Sequence, residues 1–171
     1  MDKLTIMRKC FLLSAIVLIS LIANAQSDSL KWVKEINEQV WKPFITHFVS
    51  GNREGFRAVH SKRITRVEID RGMVKNYEKY FPPIDPNVPV RKNSNRVFEL
   101  HFDKRISDGN KAWETGFYKG TVTQEGKVPW SYYGRFFVVL EKEEGVWKIV
   151  VDADTGKVAN EESFNKASPM E

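Results

Sequence analysis

The chain has 171 residues, a formal net charge of +5 and one cysteine. Acidic residues are interleaved with basic ones throughout, so no clustered basic face for nucleic acid stands out. The single thiol leaves neither an intrachain disulfide nor a Cys-ligated metal to stabilise the fold.

The first 25 residues read as a leader. A basic start (Lys3, Arg8, Lys9), an apolar run from Phe11 to Ile22 and small residues at Ala23 and Ala25 form the pattern of a secretory signal peptide. The run is shorter than the roughly 20 residues a membrane span requires, so the expectation is cleavage after Ala25 with no stable membrane anchor. Loss of the leader removes Cys10 and brings the formal charge to +3. The expected destination is the periplasm or the cell exterior. The remainder divides into one domain over 26–155 and a short tail over 156–171 carrying Phe164.

Leu30 to Val49 reads as a helix, with Val33, Ile36, Val40, Phe44 and Phe48 on one apolar stripe. Pro43 removes a backbone donor, so a kink or a restart near Trp41 is expected. Ser50, Gly51 and Asn52 read as a stop and a new cap, followed by a short helix over Glu54 to His60. Arg63 to Asp70 alternates like a half-buried strand, and Met73 to Phe81 reads as a third helix capped by Asp70. Pro82 to Asn95 is a polar, proline-rich loop. Period-two strands follow over Arg96 to Ile106 and Lys111 to Thr123, with Asp108-Gly109 as the expected tight turn. The stretch Tyr133 to Asp154 is a long hairpin with nearly continuous apolar runs at Phe136 to Leu140 and Val146 to Val151, joined through Glu141 to Gly145. Helices followed by long antiparallel strands make an α+β layout.

This order, with Glu114, Gly116, Tyr118 and Gly120 on one strand, Tyr-Gly-Arg-Phe at Tyr133 to Phe136 and Gly-x-Trp-Lys-Ile ending at Ile149, resembles the nuclear transport factor 2-like superfamily, and within it the SnoaL-like group. The resemblance implies a cone-shaped roll enclosing a pocket. Such pockets serve isomerase, cyclase or dehydratase chemistry or simple binding, often in a homodimer.

A two-residue turn at Asp108-Gly109 would pair Ser107 with Asn110, Arg105 with Ala112, Asp103 with Glu114, His101 with Gly116 and Glu99 with Tyr118. That polar face would line the pocket. Its reverse would carry Phe98, Leu100, Phe102, Trp113 and Phe117. Matching the long hairpin to the family adds Gly134, Phe136, Val138, Val150, Asp152 and Asp154 to the pocket side. Tyr133, Arg135, Phe137, Trp147, Ile149 and Val151 fall on the reverse, expected to be a subunit interface. Alternatively, the apolar face packs on the helices and the polar face is solvated.

The candidate catalytic residues are Glu114, as a proton carrier with a raised pKa, Tyr118, as donor to an oxyanion, and His101. Glu99, Arg105, Phe136, Val138, Asp152 and Asp154 are the candidate ligand-binding residues. The three histidines have no metal-ligand spacing, and neither metal nor cofactor is expected. Among ketosteroid isomerase-like members of the superfamily the site needs a catalytic carboxylate and a second, protonated acid. Asp70 falls near the first place pointing away, and Phe136 takes the second, which disfavours steroid isomerisation. The expectation is a small-molecule-binding domain of unknown ligand. The alternatives are an isomerase, cyclase or dehydratase using Glu114 and Tyr118, and a dimeric interaction module.

Overall fold

The computed structural model describes residues 31–83 and 95–170. Residues 1–30, on which the expected signal peptide falls, most of the Pro82 to Asn95 loop and the last residue lie outside them. The first helix, α1, spans 31–50 and is regular only at its two ends. Asn37–Trp41 forms a π-helical turn, closed by the Lys42 amide donating to the Asn37 carbonyl, and the α-helix resumes at Lys42–Ser50 with Pro43 in its first turn. The irregularity expected from Pro43 is therefore a widened turn just before it, where the missing donor does no harm. Gly51, in the left-handed conformation at φ 70°, ends the helix. Asn52 caps the next one, α2 (Arg53–Ala58), by accepting from the Gly55 amide at 3.0 Å.

Strand β1 (His60–Glu68) starts three residues earlier than its alternation suggests. The third helix expected over Met73 to Phe81 is absent as such. Gly72, at φ 60°, turns the chain back so that β2 (Met73–Lys75) pairs antiparallel with Arg66 to Glu68. Only one helical turn, α3 (Tyr77–Tyr80), remains, capped by Asn76. Asp70 caps nothing; its carboxylate accepts from the Thr155 hydroxyl at 2.5 Å and the Gly156 amide at 2.7 Å.

The long strands β3 (Arg96–Ser107), β4 (Lys111–Val122), β5 (Trp130–Glu143) and β6 (Val146–Thr155), with the two-residue β7 (Ser168–Pro169), complete a seven-stranded sheet in the order β2-β1-β6-β5-β4-β3-β7. The β1–β6 pair is parallel and the others antiparallel. Glu144 and Gly145, both at positive φ, form the two-residue turn between β5 and β6. The last segment, α4 (Glu161–Lys166) and β7 (Ser168–Pro169), returns to the edge of β3. This is an α+β architecture in which α1 packs on one face of a mostly antiparallel sheet.

The pairing departs from simple alternation on two ladders, each time for a local cause. Asp108 holds the β3–β4 turn wider than two residues, its side chain accepting from the Asn110 and Lys111 amides at 2.8 and 2.7 Å. Ser107 therefore faces Ala112 and Arg105 faces Glu114. A bulge between Phe102 and Lys104 then shifts the count again, placing Leu100 opposite Tyr118 and His101 opposite Phe117. Phe98, Leu100 and Phe102 consequently face the helix side, and Glu99, His101 and Asp103 face away. The second bulge, between Val139 and Leu140 on the β5–β6 ladder, skips Val150 and sets Leu140 opposite Ile149. Trp147 and Ile149 thus belong to the core beneath α1, with neither exposed, rather than to the reverse face.

The core joins Ile36, Val40 and Trp41 of α1 to Ile64, Leu140, Trp147 and Ile149 of the sheet. On the reverse face Phe164 of α4 is buried, stacking on His101 with ring centroids 3.7 Å apart and meeting Tyr133 at 6.0 Å. The His101 Nδ1–H donates to the Phe164 and Ala167 carbonyls.

Candidate functional site

Between α1 and the sheet lies a cavity of about 160 Å³. Its apolar wall is aromatic: Trp41, Phe44 and Phe48 from α1, and Phe98, Tyr118, Tyr132 and Phe136 from β3, β4 and β5. The helical stripe at steps of three and four supplies one side. The sheet supplies the other because three glycines stand directly across from aromatic partners. Gly116 pairs with Phe136, Gly120 with Tyr132 and Gly134 with Tyr118, and each ring occupies the space a side chain on its glycine would fill.

The polar end is built where β1 runs parallel to β6. Arg66 faces Asp152 in register, and its guanidinium donates to the Asp152 side chain at 3.0 Å, to the Asp152 carbonyl at 3.3 Å and to Asp154. The Tyr118 hydroxyl donates to Asp154 at 3.1 Å, and that of Tyr80 reaches Asp152 at 3.5 Å. Burial raises the Asp152 carboxyl above the usual range, against the pull of Arg66. Burial opposes the Arg66 charge as well, yet the two aspartates outweigh it and hold the guanidinium above its ordinary value. Burial, reinforced by the neighbouring aspartates, also keeps the Tyr80 and Tyr118 phenols protonated well beyond neutral pH. The corner is thus a compact network of two carboxylates, one cation and two phenols at the end of an aromatic box.

Among the residues singled out from sequence, Tyr118, Phe136, Val138, Asp152 and Asp154 line this cavity. Glu114 and Arg105 share the same sheet face but do not line it. Glu114 is 1 % exposed, accepting from Trp41 Nε1 at 2.6 Å and Arg105 Nε at 2.8 Å, while the second arm of Arg105 donates to Asn37. Burial pushes its carboxyl up and Arg105 draws it down. Trp41 and Asn37, the partners of this ion pair, are the two ends of the π-helical turn. Glu99 and His101 lie on the opposite face, moved there by the bulge at Asp103. Val150 is the residue skipped by the second bulge and also stays out of the cavity.

Arg66, Tyr80 and Tyr132 were not singled out from sequence. Arg66 gains its place from the parallel β1–β6 pairing, 86 residues apart in sequence, which no local pattern reports. The helical aromatics carried a readable signal, since Trp41, Phe44 and Phe48 concentrate three rings on one stripe. Among the described residues no group of three or more His, Cys, Asp or Glu could hold a metal ion. No helix among them is long and apolar enough to cross a membrane.

No protein-family model matches the chain, and no curated protein matches it. Solved structures do. An NTF2-like protein with a cystatin-like fold from Novosphingobium aromaticivorans superposes with a TM-score of 0.59 at 12 % identity, covering 82 % of this chain and 92 % of that one. The chain has the nuclear transport factor 2-like fold. Other structures with this fold include a candidate ketosteroid isomerase from Shewanella frigidimarina, with TM-score 0.52 and 18 % identity over 72 % of this chain and 97 % of the other. The association domain of CaMKII from C. elegans reaches a TM-score of 0.53 at 10 % identity, over 77 % and 96 % respectively. In this fold the cavity between helix and sheet brings Tyr118, Phe136, Val138, Asp152 and Asp154 together with Arg66, Tyr80 and Tyr132.

Proposed function

We propose that the chain is a secreted or periplasmic domain that binds a small organic molecule in the aromatic cavity. The observation that carries this reading is the joining of an aromatic box to a single polar corner, the composition of a site that both grips and orients a ligand. The leader-like first 25 residues support export. Native mass spectrometry of freshly purified protein tests the binding: a retained mass lost on Phe98→Asp substitution supports it, and a bare protein that takes up no member of an aromatic fragment set opposes it. Fractionation of a host expressing the full chain tests export, a cytoplasmic, uncleaved product counting against it.

Catalysis by Glu114 has no geometric support, because that carboxylate is sealed behind Trp41 and Arg105. A second reading is self-association through the reverse face of the sheet. Trp113 and Ile106 are 40 and 51 % exposed there, and association domains are among the chains that share this fold. Sedimentation at micromolar concentration decides it: a dimer broken by Trp113→Glu supports this reading, and a monomer removes it.

A further inference from the structure

The cavity fits a narrower class of molecule than "small organic", an inference that rests on the binding reading above. Its volume, about 160 Å³, is close to that of engineered cavities of about 150 Å³ that take up benzene, and well below the roughly 300 Å³ at which ordinary ligand pockets begin. One ring with a short arm fills it.

The charge of the polar corner then selects the arm. Among the lining residues two carboxylates, Asp152 and Asp154, face one guanidinium, Arg66. Both terminal nitrogens of Arg66 are already committed to those aspartates. An entering carboxylate would find only the Nε–H of Arg66 without a partner, and would add a third negative charge to a largely buried corner. An ammonium meets the opposite situation. Among the described residues Asp154 Oδ2 accepts only from the Tyr118 hydroxyl, at 3.1 Å, and a carboxylate oxygen has room for a second donor.

The approach has the same character. Tyr118, Tyr132 and Asp154 also line an outer hollow with Glu68, Asp70, Arg66 and Arg71, in which three carboxylates face two guanidinium groups. Arg96 stacks over Phe48 and Tyr132, its guanidinium 5.2 and 5.9 Å from their ring centres, but does not line the cavity. The ring faces of Tyr80 and Tyr132 beside the corner already carry Arg66 and Arg96, so the choice of charge falls to the carboxylates.

We propose that the cavity binds a single-ring primary amine, its ring held among Phe44, Phe98 and Phe136 and its ammonium donating to Asp154. Ring and arm are matched in three probes that differ only in charge: 2-phenylethylamine, 2-phenylethanol and phenylacetate. Titration calorimetry on the full chain should show the amine binding at least tenfold more tightly than the alcohol, with phenylacetate weakest. In Asp154→Asn the tenfold advantage of the amine over the alcohol, compared within the variant, should disappear. The wild-type comparison stands by itself if that variant does not fold. Alcohol or phenylacetate binding as well as the amine overturns the amine class and leaves the binding reading intact. Failure of all three at millimolar concentration overturns the amine class, and the binding reading then rests on the native mass spectra.

Discussion

Gly134 and Tyr118 are direct cross-strand partners, and the Tyr118 ring lies across the place where a Gly134 side chain would stand. The phenol is thereby laid flat along the sheet with its hydroxyl on Asp154. Gly134→Ala should therefore displace the ring and strip Asp154 of its donor. Overpacking of this kind costs about 1–3 kcal/mol, measurable by urea denaturation. Tyr118→Phe should cost less, because it keeps the packing and loses one hydrogen bond. Equal stability of Gly134→Ala and wild type would mean the ring is free to lift away.

Glu114 and Arg105 form an ion pair closed over by Trp41. Glu114→Leu leaves the Arg105 cation uncompensated, and losses of about 3–5 kcal/mol follow from breaking a buried pair on one side. The double variant Glu114→Leu/Arg105→Met should recover most of that loss. Failure of the double variant to improve on the single one would show that the pair contributes through shape rather than charge.

His60 sits among Phe44, Phe56, Tyr80 and Phe81, and burial lowers its pKa to about 4 from an ordinary 6.5. The folded state thus binds fewer protons than the unfolded chain between these values. The contribution of His60 to stability is full above pH 6.5, declines as the pH falls and is gone near pH 4, a change of about 3 kcal/mol. Urea midpoints of wild type and His60→Gln, compared from pH 7 to pH 4, should converge across this window. A constant difference between them would remove the buried, neutral imidazole from the account.

The terminal segment is fastened by Phe164 on the ring of His101. Phe164→Ala should release α4 and β7 from the β3 edge, costing about 3–5 kcal/mol if they remain part of the cooperative fold. Hydrogen exchange separates the cases: the Met170 amide, which donates to the Leu100 carbonyl at 3.0 Å, should lose protection first.

The sequence carried the helix stripe, the Gly51 stop, the Asn52 cap and the long hairpin because each rests on neighbours within a few residues. It also carried one half of the cavity, Tyr118, Phe136, Val138, Asp152 and Asp154, since β4 and the ends of β5 and β6 alternate without interruption. What it did not carry depends on single skipped residues. The bulge at Asp103 inverts Glu99 and His101, and that at Val150 inverts Trp147 and Ile149, and neither leaves a local signature that alternation detects. Met73 to Phe81 misled for a different reason: its helical spacing is real, but Gly72 and the free edge of β1 offered those residues a ladder instead.

The parallel seam between β1 and β6 also sets an order of events during synthesis. Arg66 leaves the ribosome long before Asp152 and Asp154 exist, and its strand can have no β6 neighbour until nearly the whole chain has emerged. Contacts so remote in sequence are slow to close. A chain ending between Phe136 and Asp152 therefore carries every aromatic residue of the cavity wall and Arg66, but neither carboxylate that neutralises that cation.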